Sequence, residues 1–194
     1  GVGQGLRNVV GMTLGTGIGG GAILEGALFR GSSYNSAEFG HITVDPDGPQ
    51  CFCGNRGCLG LLASAKGMVR RCIEQIRQGR RTALAEYVAN DEASLTARAI
   101  YEAAVEGDAL ANDILTQTGR YLGIGAATLL SCFNPDMVVF TGGLTGMGAA
   151  LLSIIRQEAR GRTYPPIYEA AQIVFGVLGD RAGVIGAAGI WYET

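Results

Sequence analysis

Three of the five cysteines and the single histidine crowd into eighteen consecutive positions: His41, Cys51, Cys53 and Cys58. A loop that brings these four side chains to one point must fold back sharply on itself, and Gly54 and Gly57 give it that freedom. Three thiolates and one imidazole are the ligand set of a closed tetrahedral zinc site, which is structural because no coordination position stays open. The same residues also admit unligated thiols buried as small apolar side chains, or a disulfide. An odd number of cysteines fits the disulfide poorly, and a loop rich in Gly, Asn and Arg fits apolar burial poorly. Another thiophilic ion would suit the same ligands. Cys72 and Cys132 lie among apolar residues at helical spacing and read as small buried side chains.

With 194 residues the chain is long enough for a proper core. Only 16% of residues are charged and 32 are glycine, a balance that suits a tightly packed α/β chain and not a disordered one. The formal net charge of −2 provides no basic field for nucleic acid. No run of eighteen apolar residues predicts a membrane span, and the first residues do not read as a signal peptide. Together with thiolate-rich ligation, these features point to the cytoplasm.

Apolar runs broken by glycine turns open the chain: Asn8–Leu14, Ala22–Leu24 and Ala27–Phe29 predict a meander of strands. From Ser64 to Arg80 the period changes, and Met68, Val69, Cys72, Ile73 and Ile76 mark one face of a helix. Thr96 caps a second helix running to about Glu106. A third, long helix starts near Asp108 and is ended by Asn134-Pro135. Beyond it, Met137–Thr141 reads as a buried strand, Leu151–Ile155 as part of a helix, Ile173–Phe175 as a strand, and Ile185–Ala188 as part of a last helix. This alternation predicts an α/β fold with some parallel pairing.

Gly15-Thr16-Gly17-Ile18-Gly19-Gly20-Gly21 joins two predicted strands. Backbone N–H groups of such a turn approach an anion without obstruction from a Cβ, and Thr16 adds a hydroxyl. It lacks the lysine and helix of a Walker loop and the strand–turn–helix setting of a dinucleotide fingerprint. A glycine-rich hairpin with no ligand reads equally well. Gly142-Gly143 closes a buried strand where nucleotides often lie in open α/β sheets, and it also fits a plain strand-to-helix turn.

Taken in order, the glycine loop, Glu38-Phe39-Gly40-His41, the Cys51-x-Cys53-Gly54-x-x-Gly57-Cys58 loop, Asn134-Pro135-Asp136, Gly142-Gly143 and Gly179-Asp180-x-Ala182-Gly183 resemble the ROK family of sugar kinases and sugar-responsive repressors. The resemblance covers nearly the whole chain. It implies an actin-like ATPase (ribonuclease H-like) fold, of which residues 1–194 would be a single C-terminal lobe, with a zinc loop at 41–58 and a helical insertion at about 64–133. It implies that Gly15, Thr16 and Gly17 hold the phosphates of ATP, accompanied by Mg²⁺, and that Gly142 and Gly143 lie under the adenosine. Glu38 and His41 would hydrogen-bond a hexose or amino sugar, while His41 ligates zinc through its other ring nitrogen. A homodimer is also implied.

Two positions depart from the family pattern. Gly60 replaces a glutamate two residues after the last cysteine of the loop, removing a charge-assisted hydrogen bond worth about 1.5–3 kcal/mol. Ala37 replaces the glycine before Glu38, and its methyl group would tighten the pocket. Family kinases also carry an N-terminal lobe with another phosphate loop and the Asp that accepts the hydroxyl proton. The chain begins about where the second lobe begins. Asp45 and Asp47 read as turn residues, so no residue here is assigned as that base, and the expectation is a lobe inactive alone. The intact glycine loop favours a kinase. Gly60 favours the sensing domain of a repressor, whose partner elsewhere would be DNA, or a non-catalytic relative.

Overall fold

Val9-Val10-Gly11-Met12-Thr13-Leu14 alternates between a packed and a more open face. It forms β1 (Val9–Leu14) with Val10, Met12 and Leu14 buried. The computed structural model describes residues 1–190, apart from the side chains of residues 180 and 190, so the Asp180 carboxylate lies outside the described set. The glycine-rich stretch continues as β2 (Ile18–Leu24) and β3 (Ala27–Leu28). Helices α1 (Leu59–Ala63), α2 (Ala65–Arg77), α3 (Ala85–Asn90), α4 (Ala97–Val105) and α5 (Ala109–Phe133) follow. The chain then runs through β4 (Met137–Thr141), α6 (Gly148–Arg160), α7 (Pro165–Ala170), β5 (Gln172–Phe175) and α8 (Ala182–Ile190).

The five strands form one sheet in the order β3-β2-β1-β4-β5. The meander β1-β2-β3 is antiparallel, and β4 and β5 add in parallel on the other side of β1. Val10, Met12, Val138 and Phe140 on the sheet join Leu59, Leu122, Leu130, Leu151 and Ile155 on the helices in a single core. Short polar side chains set the helix starts, as their spacing predicts. Ser64, Thr96 and Asp108 accept hydrogen bonds from the N–H of Gly67, Ala99 and Ala111 respectively. Asn134 ends α5 in the left-handed region at φ 41°, a conformation that asparagine tolerates better than most residues. The short helices α1, α3 and α7 were not legible, since one or two turns leave no periodic signature.

Cys72 is buried as expected, and burial pushes its thiol up to about 11. Cys132 is instead exposed. Leu129 and Leu130 occupy the buried stripe of α5, and the next residues rotate off it before the helix ends.

Arg71 on α2 is buried, with no carboxylate partner among the described residues. Its guanidinium donates to the Leu62 carbonyl at the end of α1 and to Gln117 and Thr118 on α5, and it lies 5.6 Å from the Tyr121 ring centroid. Burial pulls its pKa down to about 10, still high enough to keep the charge at neutral pH. Three acceptors on two helices thus converge on one cation, which fixes α2 against the core. Replacing Arg71 with Met would strand them, and the expected loss is about 2–4 kcal/mol of stability, read as a lower urea midpoint at constant m-value.

Candidate functional site

The glycine turn, the cysteine loop and the start of α2 meet at one end of the sheet. Residues 15–17 connect β1 to β2, with the Gly15 N–H donating to the Gly17 carbonyl at 3.0 Å. The Gly15 carbonyl accepts from the N–H of Ala65 at the first turn of α2, also at 3.0 Å. Gly142 follows β4, the parallel neighbour of β1. Its φ is 94°, and a Cβ there would meet the Leu14 carbonyl oxygen at 2.7 Å, so only glycine fits without displacement. The Gly15–Gly17 turn and Gly142-Gly143 therefore lie side by side at the carboxyl ends of two parallel strands.

Glu38 precedes a 3₁₀ turn spanning Phe39–His41, and the His41 N–H donates to the Glu38 carbonyl. Gly40 presses on β2 so closely that a Cβ would overlap the Ile18 carbonyl oxygen. Past His41 the chain makes a narrow antiparallel ribbon, with Thr43 bridged to Cys58 and Gln50 to Arg56. Asn55 reaches across to the Thr43 hydroxyl at 2.7 Å. Asp45 accepts from the N–H of Asp47 at 3.2 Å, so both are turn residues, as their loop context suggested.

The ribbon gathers the four soft ligands. One donor atom from each of His41, Cys51, Cys53 and Cys58 lies within 4.8 Å of the other three. His41 Nδ1 is 3.7 Å from Cys51 Sγ, and Cys53 Sγ is 3.7 Å from Cys58 Sγ. Tetrahedral zinc with sulfur ligands at about 2.3 Å separates them by about 3.8 Å, so the spacing fits that geometry. A backbone hydrogen bond at Asn55 holds the Cys53 thiol below its ordinary value, while burial pushes Cys58 up to about 12. A bound divalent cation would deprotonate such a thiol outright, so metal uptake would release protons.

Beside this cluster opens a cavity of about 600 Å³. Thr16, Gly17, His41 and Gly60 all line it. Glu38 is exposed and lies outside the lining, as do Gly15, Gly142 and Gly143. Ala37 is also outside, so its methyl does not tighten this cavity. Its consequence is conformational instead: Ala37 sits at φ 62°, a left-handed geometry that costs an alanine about 1–2 kcal/mol relative to glycine. Phe52, Lys66 and Arg70 also line it and were not singled out from the sequence. The available signal for Lys66 was that it is the one lysine in the chain.

Comparison with known proteins identifies the relatives of this chain. The sequence matches the ROK family over residues 1–194. It is 37% identical over 188 residues to a glucokinase of Halalkalibacterium halodurans, covering 96% of this chain and 56% of that protein. It is 32% identical to the xylose repressor of Bacillus subtilis, covering 94% of this chain and 44% of the repressor. The structure resembles a ROK family glucokinase from Streptomyces griseus in complex with glucose and AMPPNP, with a TM-score of 0.81 and 34% identity over 97% of this chain and 61% of that one. The chain thus spans little more than half the length of these kinases, and its fold is that of their actin-like ATPase architecture. On its motifs, its sheet and its similarity to both kinases and repressors, the chain belongs to the ROK family.

Proposed function

We propose that this chain is the C-terminal lobe of an ATP-dependent hexose kinase. The observation that carries the reading is that Thr16 and Gly17 of the glycine turn share one cavity with His41. The N–H groups of the turn and the Thr16 hydroxyl hold the nucleotide phosphates, and Gly142-Gly143 lies under the adenosine. Mg²⁺ bound with the nucleotide would supply charge neutralisation at the transferred phosphoryl group. Zinc is held by His41, Cys51, Cys53 and Cys58, and its role is to order the loop. With Nδ1 turned toward Cys51, His41 keeps Nε2 for a sugar hydroxyl. Glu38, on the same turn, accepts from a second hydroxyl of a ligand that extends past His41.

Among the described residues no carboxylate lines the cavity to take the proton of the attacking hydroxyl, which supports a lobe that does not turn over alone. A thiolate-rich site suits a reducing cytoplasm. The repressor reading is favoured by Gly60, which leaves out a sugar-binding carboxylate, and by the similarity to the Bacillus subtilis xylose repressor.

ADP release by the full-length protein with ATP, Mg²⁺ and a panel of hexoses and amino sugars decides between the two readings. Sugar-dependent turnover is expected; saturable sugar binding without turnover would transfer the assignment to a sensor. Glu38→Gln is expected to weaken sugar binding roughly tenfold with the domain still folded, and unchanged calorimetric affinity would take Glu38 out of the site. Cys53→Ser, or chelation of the wild type, is expected to remove one zinc per chain. It should also lower Tm by at least about 5 °C. Full zinc stoichiometry in the variant would refute the metal assignment.

A further inference from the structure

Two cavities, of about 430 and 600 Å³, meet where Thr16, Lys66 and Arg70 line both. The larger one, which holds His41 and Gly60, carries cations but, among the described residues, no carboxylate. Lys66 is exposed in the first turn of α2 and makes no hydrogen bond or ion pair among the described residues. Its own N–H is one of the orphan donors of a helix start, at the end of the helix dipole that favours anions. Arg70, one turn further along, donates to the Leu61 carbonyl at 3.2 Å, but its Nε is buried without a hydrogen-bond partner. Glu74, one turn on, pairs with that nitrogen electrostatically at 3.7 Å but does not hydrogen-bond it, and it lines the smaller cavity and not the larger one.

The donor and acceptor inventory is therefore lopsided. Lys66 has three N–H donors and no acceptor, and the guanidinium of Arg70 only donates. Against them stand the Thr16 hydroxyl, a His41 nitrogen and carbonyl groups. A neutral hexose presents hydroxyls that each have a proton to give, and a carboxylate is the group that best receives it. At Gly60 such a group is replaced by open cavity. A phosphate or carboxylate on the ligand reverses the match, because it only accepts.

Resting on the reading of this cavity as a sugar site, we propose that it selects an anionic sugar, one bearing a phosphate or a carboxylate, and that Lys66 with Arg70 determines that specificity. A neutral hexose binds here more weakly than its charged counterpart. Gly60, which adds no acceptor, and Lys66, which adds three donors, together leave the pocket donor-rich.

Calorimetry on the full-length protein without nucleotide, using glucose, glucose 6-phosphate and glucuronate, tests this. At least one anionic sugar is expected to bind roughly tenfold or more tightly than glucose, with an affinity that falls as salt rises. Preference for glucose 6-phosphate alone identifies a phosphoryl ligand, and preference for glucuronate identifies a carboxylate; either supports the inference. Lys66→Met, with folding verified by circular dichroism, is expected to bring the anionic-to-neutral affinity ratio toward one, and Lys66→Arg to preserve it. Glucose binding as tight as the anionic sugars, or a ratio untouched by Lys66→Met, would overturn the inference and leave the sugar site standing. Binding of none of the three would overturn the sugar reading itself and this inference with it.

Discussion

The hydrogen bond from the Ala65 N–H to the Gly15 carbonyl ties together everything the site needs. On one side of it is the turn between β1 and β2, whose shape is fixed by the antiparallel pairing of Leu14 with Ile18. On the other is the first turn of α2, whose position is fixed by the covalent path from Cys58 through α1 to the Ser64 cap. The cysteine loop cannot shift without moving α1, and α1 cannot shift without moving Ser64 and the tie to Gly15. A metal held by that loop would therefore act on the cavity beyond its own ligands His41 and Cys51, by restricting where α2 begins. Arg71 enforces the same geometry from behind by joining the Leu62 carbonyl to α5.

Close backbone approaches account for much of the glycine content around this tie. Gly40 lies on the Ile18 carbonyl and Gly142 on that of Leu14, so the 3₁₀ turn and the β4 exit both pack directly on β1–β2 backbone. A side chain at either place would force apart the segments that line or back the cavity. Ala37 marks the limit of this tolerance. It keeps a left-handed backbone despite its methyl group, because the turn leading to Glu38 and His41 is set by its neighbours on both sides.

The elements with long periodic signals were legible before any coordinates. β1, α2, α4, α5 and β4 follow from apolar spacing and from Ser64, Thr96, Asp108 and Asn134 at their ends. The cysteine cluster was legible too, because the ligand type and loop glycines limit what the segment can do; the structure then brings the four donor atoms to mutual distances that suit a tetrahedral ion. The cavity lining was legible only in part: Thr16, Gly17 and His41 were singled out, while Phe52, Lys66 and Arg70 were not. Lys66 and Arg70 occupy polar positions of an amphipathic helix, where a sequence shows only a solvated face. Whether such a face meets water or a ligand depends on the Ser64 turn, which aims the first turn of α2 at Thr16. Glu38 shows the converse: its role was read from motif context, yet its exposed position outside the cavity follows from the 3₁₀ turn, which the sequence did not announce.

Gly60 carries the electrostatic consequence of this arrangement. A Cβ there would lie 3.1 Å from the Gly40 carbonyl oxygen, tight but open to a small adjustment, so sterics alone do not demand glycine. A glutamate at that position would share the cavity with Lys66 and Arg70. Its carboxylate would then compete with any ligand for the same donors. A donor-rich wall and a carboxylate in one small cavity neutralise each other. With no side chain at position 60, the larger cavity gains no carboxylate from α1 among its described lining residues, and Lys66 and Arg70 supply its charge.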